Sequence, residues 1–363
     1  MSAEIYYKLR EQLDNYGVGY PTTESGVEMK ILEKLFTEED AQMFLNMSLM
    51  METPEAVAKR LNQDPARVAE LLDAMAQKGL LYRLRKENSV RYSAVPFVIG
   101  IYEFQINAMD KELAHLCDQY FNEGGFMHQI AKHISPLRPI PVNRSVDVSW
   151  PIAAYEDARG IIKKQKKIAV ANCICRLEKG LLNEACDKPV EVCLAFGPQA
   201  DYYVELGMAR YISVEEGLDV LDRCDEAGLV HQPNSSQNVV AICNCCGDCC
   251  AALGAIKKYP KPAEMVLSNY YASVDPDLCC GCETCVDRCQ MDAISMGPEV
   301  TAVVDLDRCI GCGLCVTTCE TEAMTLETRD TEKRREPPAK YTEFVAQMSK
   351  SRGKSLIPLS FKS

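Results

Sequence analysis

The chain has 363 residues, 47% apolar and 25% charged, which leaves room for two or three domains with cores of their own. A formal net charge of −12 excludes broad, nonspecific nucleic-acid binding, and the longest apolar runs, such as Val98 to Tyr102, fall far short of the ~20 residues that span a bilayer. Twenty cysteines in so large a chain are not a disulfide scaffold. MSAEIYYKLREQLDNYGVGY lacks a secretory pattern, so a reducing cytoplasm with thiols free for metal is expected.

From residue 28 the chain alternates helical and hairpin patterns. EEDAQMFLNMSLMM (Glu38 to Met51) has helical spacing. Thr53 and Pro54 open TPEAVAKRL, while Asp64 and Pro65 open DPARVAELLDAMAQKGL, which Gly79 ends. LYRLR and VRYSAV, joined by KENS, read as a hairpin. Three helices and a hairpin in this order resemble a winged helix, over residues 1–105. The third helix sets Arg67 and Lys78 against Asp64, Glu70 and Asp73, a poor phosphate face; Arg83, Arg85, Lys86 and Arg91 in the hairpin keep a DNA-binding reading open beside a protein-docking one.

Residues 106–150 read as a helical and extended connector ending in the proline-rich PLRPIPVNRSVDVSWPI, with a boundary near Pro151. A helix from Tyr155 to Lys166 ends in KKQKK. Residues 151–268 then alternate strand-like KKIAVANC, EVCLAFG and NVVAIC with helical SVEEGLDVLDRCDEAGL and AALGAIKKY. That pattern is α/β, with cysteines at strand ends where such folds build sites.

The strongest signal lies at 269–330. Cys279, Cys282, Cys285 and Cys289 follow C-x2-C-x2-C-x3-C, and Cys309, Cys312, Cys315 and Cys319 repeat the run 30 residues later. VDPDLCCGCETCVDRCQMDAI against VDLDRCIGCGLCVTTCETEAM closely resembles the two-cluster bacterial ferredoxin domain. The resemblance implies two [4Fe–4S] centres, because the fourth cysteine of each run ligates the other cluster: Cys279, Cys282, Cys285 and Cys319 in one, Cys309, Cys312, Cys315 and Cys289 in the other. Gly281 and Gly311 suit a tight wrap of backbone. Gln290 and Glu320 replace the family's proline after each fourth cysteine, and Cys280 reads as a spectator. Residues 331–363 read as a tail.

Upstream, NVVAICNCCGDCCAAL crowds Cys243, Cys245, Cys246, Cys249 and Cys250 into eight positions, and Cys173, Cys175, Cys186 and Cys193 precede them. Cys243, Cys246 and Cys249 have the three-point spacing of the ferredoxin motifs, and Cys173 and Cys175 at a strand end would share a face. Nine thiols imply one or two further iron–sulfur centres. Cys173, Cys175, Cys186 and Cys193 form one candidate quartet and the 243–250 run the heart of another; ligands drawn from both runs, a zinc site and an unusual non-cubane cluster are the alternatives. The Cys-Cys-Gly of 245–247 resembles the cysteine-rich domains of heterodisulfide reductases, whose overall spacing differs. Arg176 is placed to neutralise cluster charge or hold an anionic ligand. Together, the C-x-C-R run, the CNCCGDCC run and the terminal repeats resemble a group of 4Fe–4S binding proteins of anaerobes with a winged-helix-like N-terminus.

Cys117 and Cys224 sit in helical patterns and read as core, and His115, His128, His133 and His231 are scattered. No phosphate-binding glycine motif occurs; Gly353-Lys354-Ser355 lacks the upstream glycine. The expected class is a multidomain α+β electron-transfer protein that relays single electrons between a low-potential donor and an oxidoreductase or flavoprotein partner with a basic docking face. A redox-sensing transcription regulator and a reductase with a catalytic central cluster are the alternatives.

Overall fold

The computed structural model describes residues 2–86, 89–123, 134–142, 153–330, 332 and 334–361. Helices α1 (Ser2–Asp14), α2 (Val27–Leu35), α3 (Glu38–Leu45), α4 (Pro54–Leu61) and α5 (Pro65–Gln77) precede an antiparallel hairpin of β1 (Tyr82–Lys86) and β2 (Ser89–Ser93), and α6 (Lys111–Asn122) follows. Sequence signals set these limits. Thr37 and Asp40 form a capping box on α3, Thr53 Oγ1 accepts the Ala56 N–H, and Asp64 Oδ1 accepts the Arg67 N–H. Gly79 has φ +73°, and a Cβ there would lie 2.7 Å from the Phe104 side chain, so only glycine turns the chain here. The expected order of helices and hairpin is present, although residues 87 and 88 of the connecting KENS lie outside the described set.

The hairpin arginines are engaged within the chain. Arg83, 4% exposed, donates to Asp73 Oδ1 (2.7 Å) and to Glu205 Oε2 (2.9 Å), and Arg85 reaches the same carboxylates. Glu205 belongs to the cysteine-rich region, so this ion-pair network ties the hairpin to it. Arg83→Ala would leave the two carboxylates with half-exposed Arg85 as their cation, while Tyr92 Oη and Gln77 Nε2 still donate to Asp73. It is expected to cost about 2 kcal/mol, below the range for a fully buried pair because both acids are partly solvated. Urea midpoints of Arg83→Ala and Arg91→Ala check this, the exposed Arg91 changing little.

The boundary near Pro151 lies outside the described residues. Of the 106–150 connector, residues 106–123 and 134–142 are described: the first stretch carries α6, and the second passes along the sheet, where Arg138 N–H donates to Pro233 O, Ile140 N–H to His231 O and Val142 N–H to Cys312 O. The expected 155–166 helix is shorter, α7 (Ala158–Lys163), because Asp157 caps it at Gly160.

The cysteine-rich region contains β3 (Ile168–Asn172), α8 (Ile174–Leu181), β4 (Glu191–Phe196), α9 (Pro198–Glu205), β5 (Ala209–Ile212), α10 (Val214–Glu226), β6 (Val230–Pro233), β7 (Ala241–Cys245) and α11 (Ala251–Lys257). Its five strands are ordered β5-β3-β4-β7-β6, and every pairing is antiparallel. This corrects the α/β reading, whose alternation implies parallel strands joined by crossover helices. Here α8 leaves the end of β3 to pack on α6 instead of recrossing the sheet, and the chain re-enters beside β3 in the opposite sense. The C-terminal ends of β3 and β7 and the start of β4 consequently meet at one end of the sheet.

In the repeats, β8 (Tyr270–Val274) pairs with β11 (Met324–Thr328), and β9 (Ile294–Met296) with β10 (Ala302–Val304); α12 (Thr284–Arg288) lies in the first cysteine run. The stretch expected only as a tail carries α13 (Tyr341–Ser351), which buries Phe344, Val345 and Met348. Arg352 donates to Asp14 Oδ1 (2.7 Å), Leu359 N–H to Gln12 Oε1 (3.0 Å) and Ser360 Oγ to Leu45 O (2.8 Å). The last helix therefore completes the core of the first domain.

Candidate metal centres

The repeats bring their cysteines together in crossed groups. Cys279, Cys282, Cys285 and Cys319 line one cavity of about 340 Å³ with Met296, Ala323 and Met324, and Cys280 stands at its exposed rim. Cys289, Cys309, Cys312 and Cys315 line another of about 370 Å³ with Ile294, Ile310 and Leu314. Backbone N–H groups point at the sulfurs: Ala302 to Cys279 (3.4 Å), Ala293 to Cys289 (3.3 Å) and Ala272 to Cys309 (3.3 Å). Four convergent soft donors, amide N–H groups on the sulfurs and apolar walls fit a [4Fe–4S] group in each. Gly281 and Gly311 take φ of +70° and +67°, and a Cβ on either would lie within 2.4 Å of a backbone oxygen, of Val300 or Tyr270 respectively. The two cavities differ in depth. Cys282 is exposed in the outer one, whereas Cys309 and Cys315 are buried in the inner one.

The inner quartet adjoins the cysteine-rich region through a residue that sequence reasoning treated as a lost proline. Gln290 Oε1 accepts the Gly247 N–H (2.8 Å), and a Cβ on Gly247 would stand 2.4 Å from Gln290 O, so glycine lets the two backbones approach. Proline at 290 has no side-chain acceptor and could not make this bond. Arg308 reinforces the junction with donors to the carbonyls of Met291, Lys257 and Tyr259.

The nine central thiols sort differently from the spacing. Six of them, Cys173, Cys175, Cys193, Cys243, Cys245 and Cys250, line one cavity of about 670 Å³. Their sulfurs neighbour one another in series, Cys173 to Cys175, then Cys250, Cys245, Cys243 and Cys193. The Cys193 thiol, reinforced by burial, holds the Cys243 thiol well above its usual range, so metal entering here must displace protons. Six thiols set among apolar side chains such as Val98, Ile99 and Phe121 fit an iron–sulfur group, and the cavity is larger than either ferredoxin-like one.

The other three, Cys186, Cys246 and Cys249, meet elsewhere, with their sulfurs all within 4.8 Å of one another. The candidate quartet of Cys173, Cys175, Cys186 and Cys193 is thus divided, and so is the Cys243, Cys246 and Cys249 grip. Side chains alternate at the end of β7, so adjacent cysteines part: Cys245 and Cys250 enter the cavity, while Cys246 and Cys249 join Cys186. Cys175 is not at a strand end either; Cys173 precedes α8 and Cys175 lies in its first turn. Ligands drawn from both runs is the grouping the geometry favours.

Arg176, 2% exposed, donates through Nη2 to Asn244 O (3.1 Å), and its Nε and Nη1 make no hydrogen bond. Burial disfavours its charge, yet the thiols of Cys173, Cys246, Cys245 and Cys186 around it raise its pKa. Cys117 and Cys224 are buried in helices as expected; His231 is buried against Asn244, with burial lowering its pKa; His115 is exposed, and His128 and His133 lie outside the described residues.

Sequence reasoning missed the acids beside the six-thiol cavity. Glu103 lines it, accepts the Gly100 N–H (2.6 Å), and burial pushes its pKa up to about 7. Glu178, 3% exposed, accepts from Tyr102 Oη (2.6 Å) and is likewise raised by burial to about 7. No local pattern marks either residue: Glu178 is buried against Tyr102, 76 residues away, and Glu103 is half-buried in the cavity wall. With an ordinary value of 4.5, Glu178 keeps in the folded chain a proton that the unfolded chain releases. Stability is therefore lost as pH rises from about 4.5 to 7, by about 3 kcal/mol for this group. Urea unfolding of metal-loaded protein at pH 5 and pH 8 should show Glu178→Gln flattening that fall.

A family model described as "4Fe-4S binding domain" matches residues 272–295 and 302–325, the two repeats. No curated protein and no solved structure matches the chain. The matched domain implies [4Fe–4S] clusters and supports an iron–sulfur electron-transfer role in general terms. Among the described residues, no helix is long and apolar enough to cross a membrane.

Proposed function

We propose that the chain relays single electrons inward from a redox protein partner, through the outer and inner ferredoxin-like centres, to an iron–sulfur group in the six-thiol cavity. Bound iron–sulfur groups supply one-electron exchange; the chain supplies the ligands and the order of the centres. The outer group would be held by Cys279, Cys282, Cys285 and Cys319, the inner by Cys289, Cys309, Cys312 and Cys315, and the third by ligands among the six central thiols. The observation that carries the reading is the Gln290 to Gly247 contact, which joins the inner quartet to the CNCCGDCC loop. Around the outer quartet, exposed Asp277, Glu283, Asp287 and Glu299 make a surface suited to a basic partner. The docked Arg83 and Arg85 favour a protein-docking role for the winged-helix-like domain over DNA binding.

A second reading rests on the size of the central cavity. Six thiols exceed the four of a cubane, and Glu103 in the wall is poised to carry a proton near neutrality, as a reductive site would need. Anaerobic iron and sulfide counting of the full chain tests the first reading. More than about eight irons per chain is expected, with the excess lost in Cys243→Ser/Cys245→Ser. A total of eight or fewer, unchanged by that double substitution, would sink it. A change in the central centre's EPR spectrum on adding a disulfide or thioester would favour the second reading.

A further inference from the structure

We infer that Cys186, Cys246 and Cys249 bind a single tetrahedral metal ion, zinc by the chemistry of the donor set, at a site separate from every iron–sulfur group. The inference stands apart from the electron-relay reading and does not need it.

The first ground is the spacing of the sulfurs. Two thiolates on one tetrahedral zinc at ~2.3 Å stand ~3.8 Å apart. Cys186 Sγ and Cys246 Sγ are 3.7 Å apart, and Cys249 Sγ completes a triple held within 4.8 Å. In a cubane each thiolate binds its own iron at a separate corner, which spreads the sulfurs. Within this same chain neither ferredoxin-like quartet, nor any other described set of three metal-binding residues, packs its ligand atoms so tightly. The triple is thus built for one ion and the quartets for several.

The second ground is charge. Three thiolates on a divalent ion carry a net charge of −1, which must be compensated in a buried place. Arg176 is buried between the two groups of thiols, beside Cys246 and Cys186 of the triple and Cys173 and Cys245 of the cavity, and pairs with no carboxylate among the described residues. A buried guanidinium with no acid partner needs an anion nearby. Metal-bound Cys246 and Cys186 would supply such an anion on one side of the guanidinium. The Cys186 N–H also donates to Cys249 Sγ (3.4 Å), as amides do to metal-bound sulfur.

No fourth side chain joins the triple among the described residues, so the fourth position falls to a small exogenous ligand such as water. The ion would pin the 182–190 loop, which carries Cys186, to the turn before α11. It also explains the paired cysteines, since each pair sends one thiol to each site.

The test uses the full chain, prepared without chelator and loaded anaerobically with iron, sulfide and zinc. One zinc per chain is expected, with X-ray absorption at the zinc edge giving three sulfurs at ~2.3 Å and one lighter atom. Cys186→Ser should lower zinc and leave the iron count unchanged, whereas Cys243→Ser should lower iron and leave zinc. The unmodified chain supplies the absorption result even if a variant fails to fold. An iron count that falls in Cys186→Ser, four sulfurs around the zinc, or a Cys186–Cys246 disulfide with no bound metal would each overturn the inference.

Discussion

Replacing Cys312 and Cys315 with serine in the full chain should remove about four irons and stop electrons reaching the six-thiol cavity, while the outer quartet keeps its iron and stays reducible. The expectation follows from depth. The outer cavity opens at exposed Cys282, whereas the inner one is closed by buried Cys309 and Cys315 and by the Val142 N–H on Cys312 O. Only the inner quartet includes a residue, Cys289, next in sequence to the Gln290 that touches Gly247. Iron and sulfide counts give the first readout. The second is stopped-flow reduction followed by EPR at the central centre. Reduction there at the unmodified rate would mean that electrons enter by another route.

Arg176→Met should be the most damaging substitution outside the cysteines, costing about 3–5 kcal/mol and the zinc with it. Methionine fills a similar volume, so packing is largely kept and charge is what is lost. The thiolates around position 176 would then lack a counter-ion in a place from which solvent is excluded. Arg176→Lys should restore part of the loss, because a point charge remains but the planar group that bonds Asn244 O and lies beside the thiols does not. Urea unfolding with parallel zinc analysis checks both variants. A midpoint for Arg176→Met within ~0.5 kcal/mol of the unmodified chain would show that the thiols need no cation there.

What could be read from the sequence was what local chemistry writes locally. Thr53-Pro54 and Asp64-Pro65 mark helix starts wherever they fall, and the two cysteine runs announce two quartets by spacing alone. The crossed sharing of Cys289 and Cys319, implied by the ferredoxin resemblance, matches the cavities each residue lines. The central thiols resisted the same treatment because their grouping depends on strand order. Cys193 meets Cys243 only because β4 lies against β7, with Leu194 opposite Ile242. Cys186 meets Cys246 only because its loop folds over the end of the sheet. Spacing also misled at Cys243, Cys246 and Cys249: a C-x2-C-x2-C run wraps a cubane when it lies in a loop, but here its first cysteine sits within β7. Gln290 was recognised as a departure, yet its partner Gly247 is 43 residues away and left no sign in the sequence.

The closing helix has a consequence for how the protein is made. Residues 337–341 bridge the β6–β7 loop, where Gln237 and Asn238 donate to Pro338 O and Ala339 O, and they set Tyr341 beside Glu103 and Cys243. Residues 349–360 then fasten onto Gln12, Asp14, Gly17 and Leu45. A ribosome adding about 5–20 residues per second delivers these last segments roughly 15–60 s after the first helix emerges. For that interval the nascent first domain lacks the wall that Phe344, Val345 and Met348 supply, and its early helices stay open on that side until the closing helix arrives.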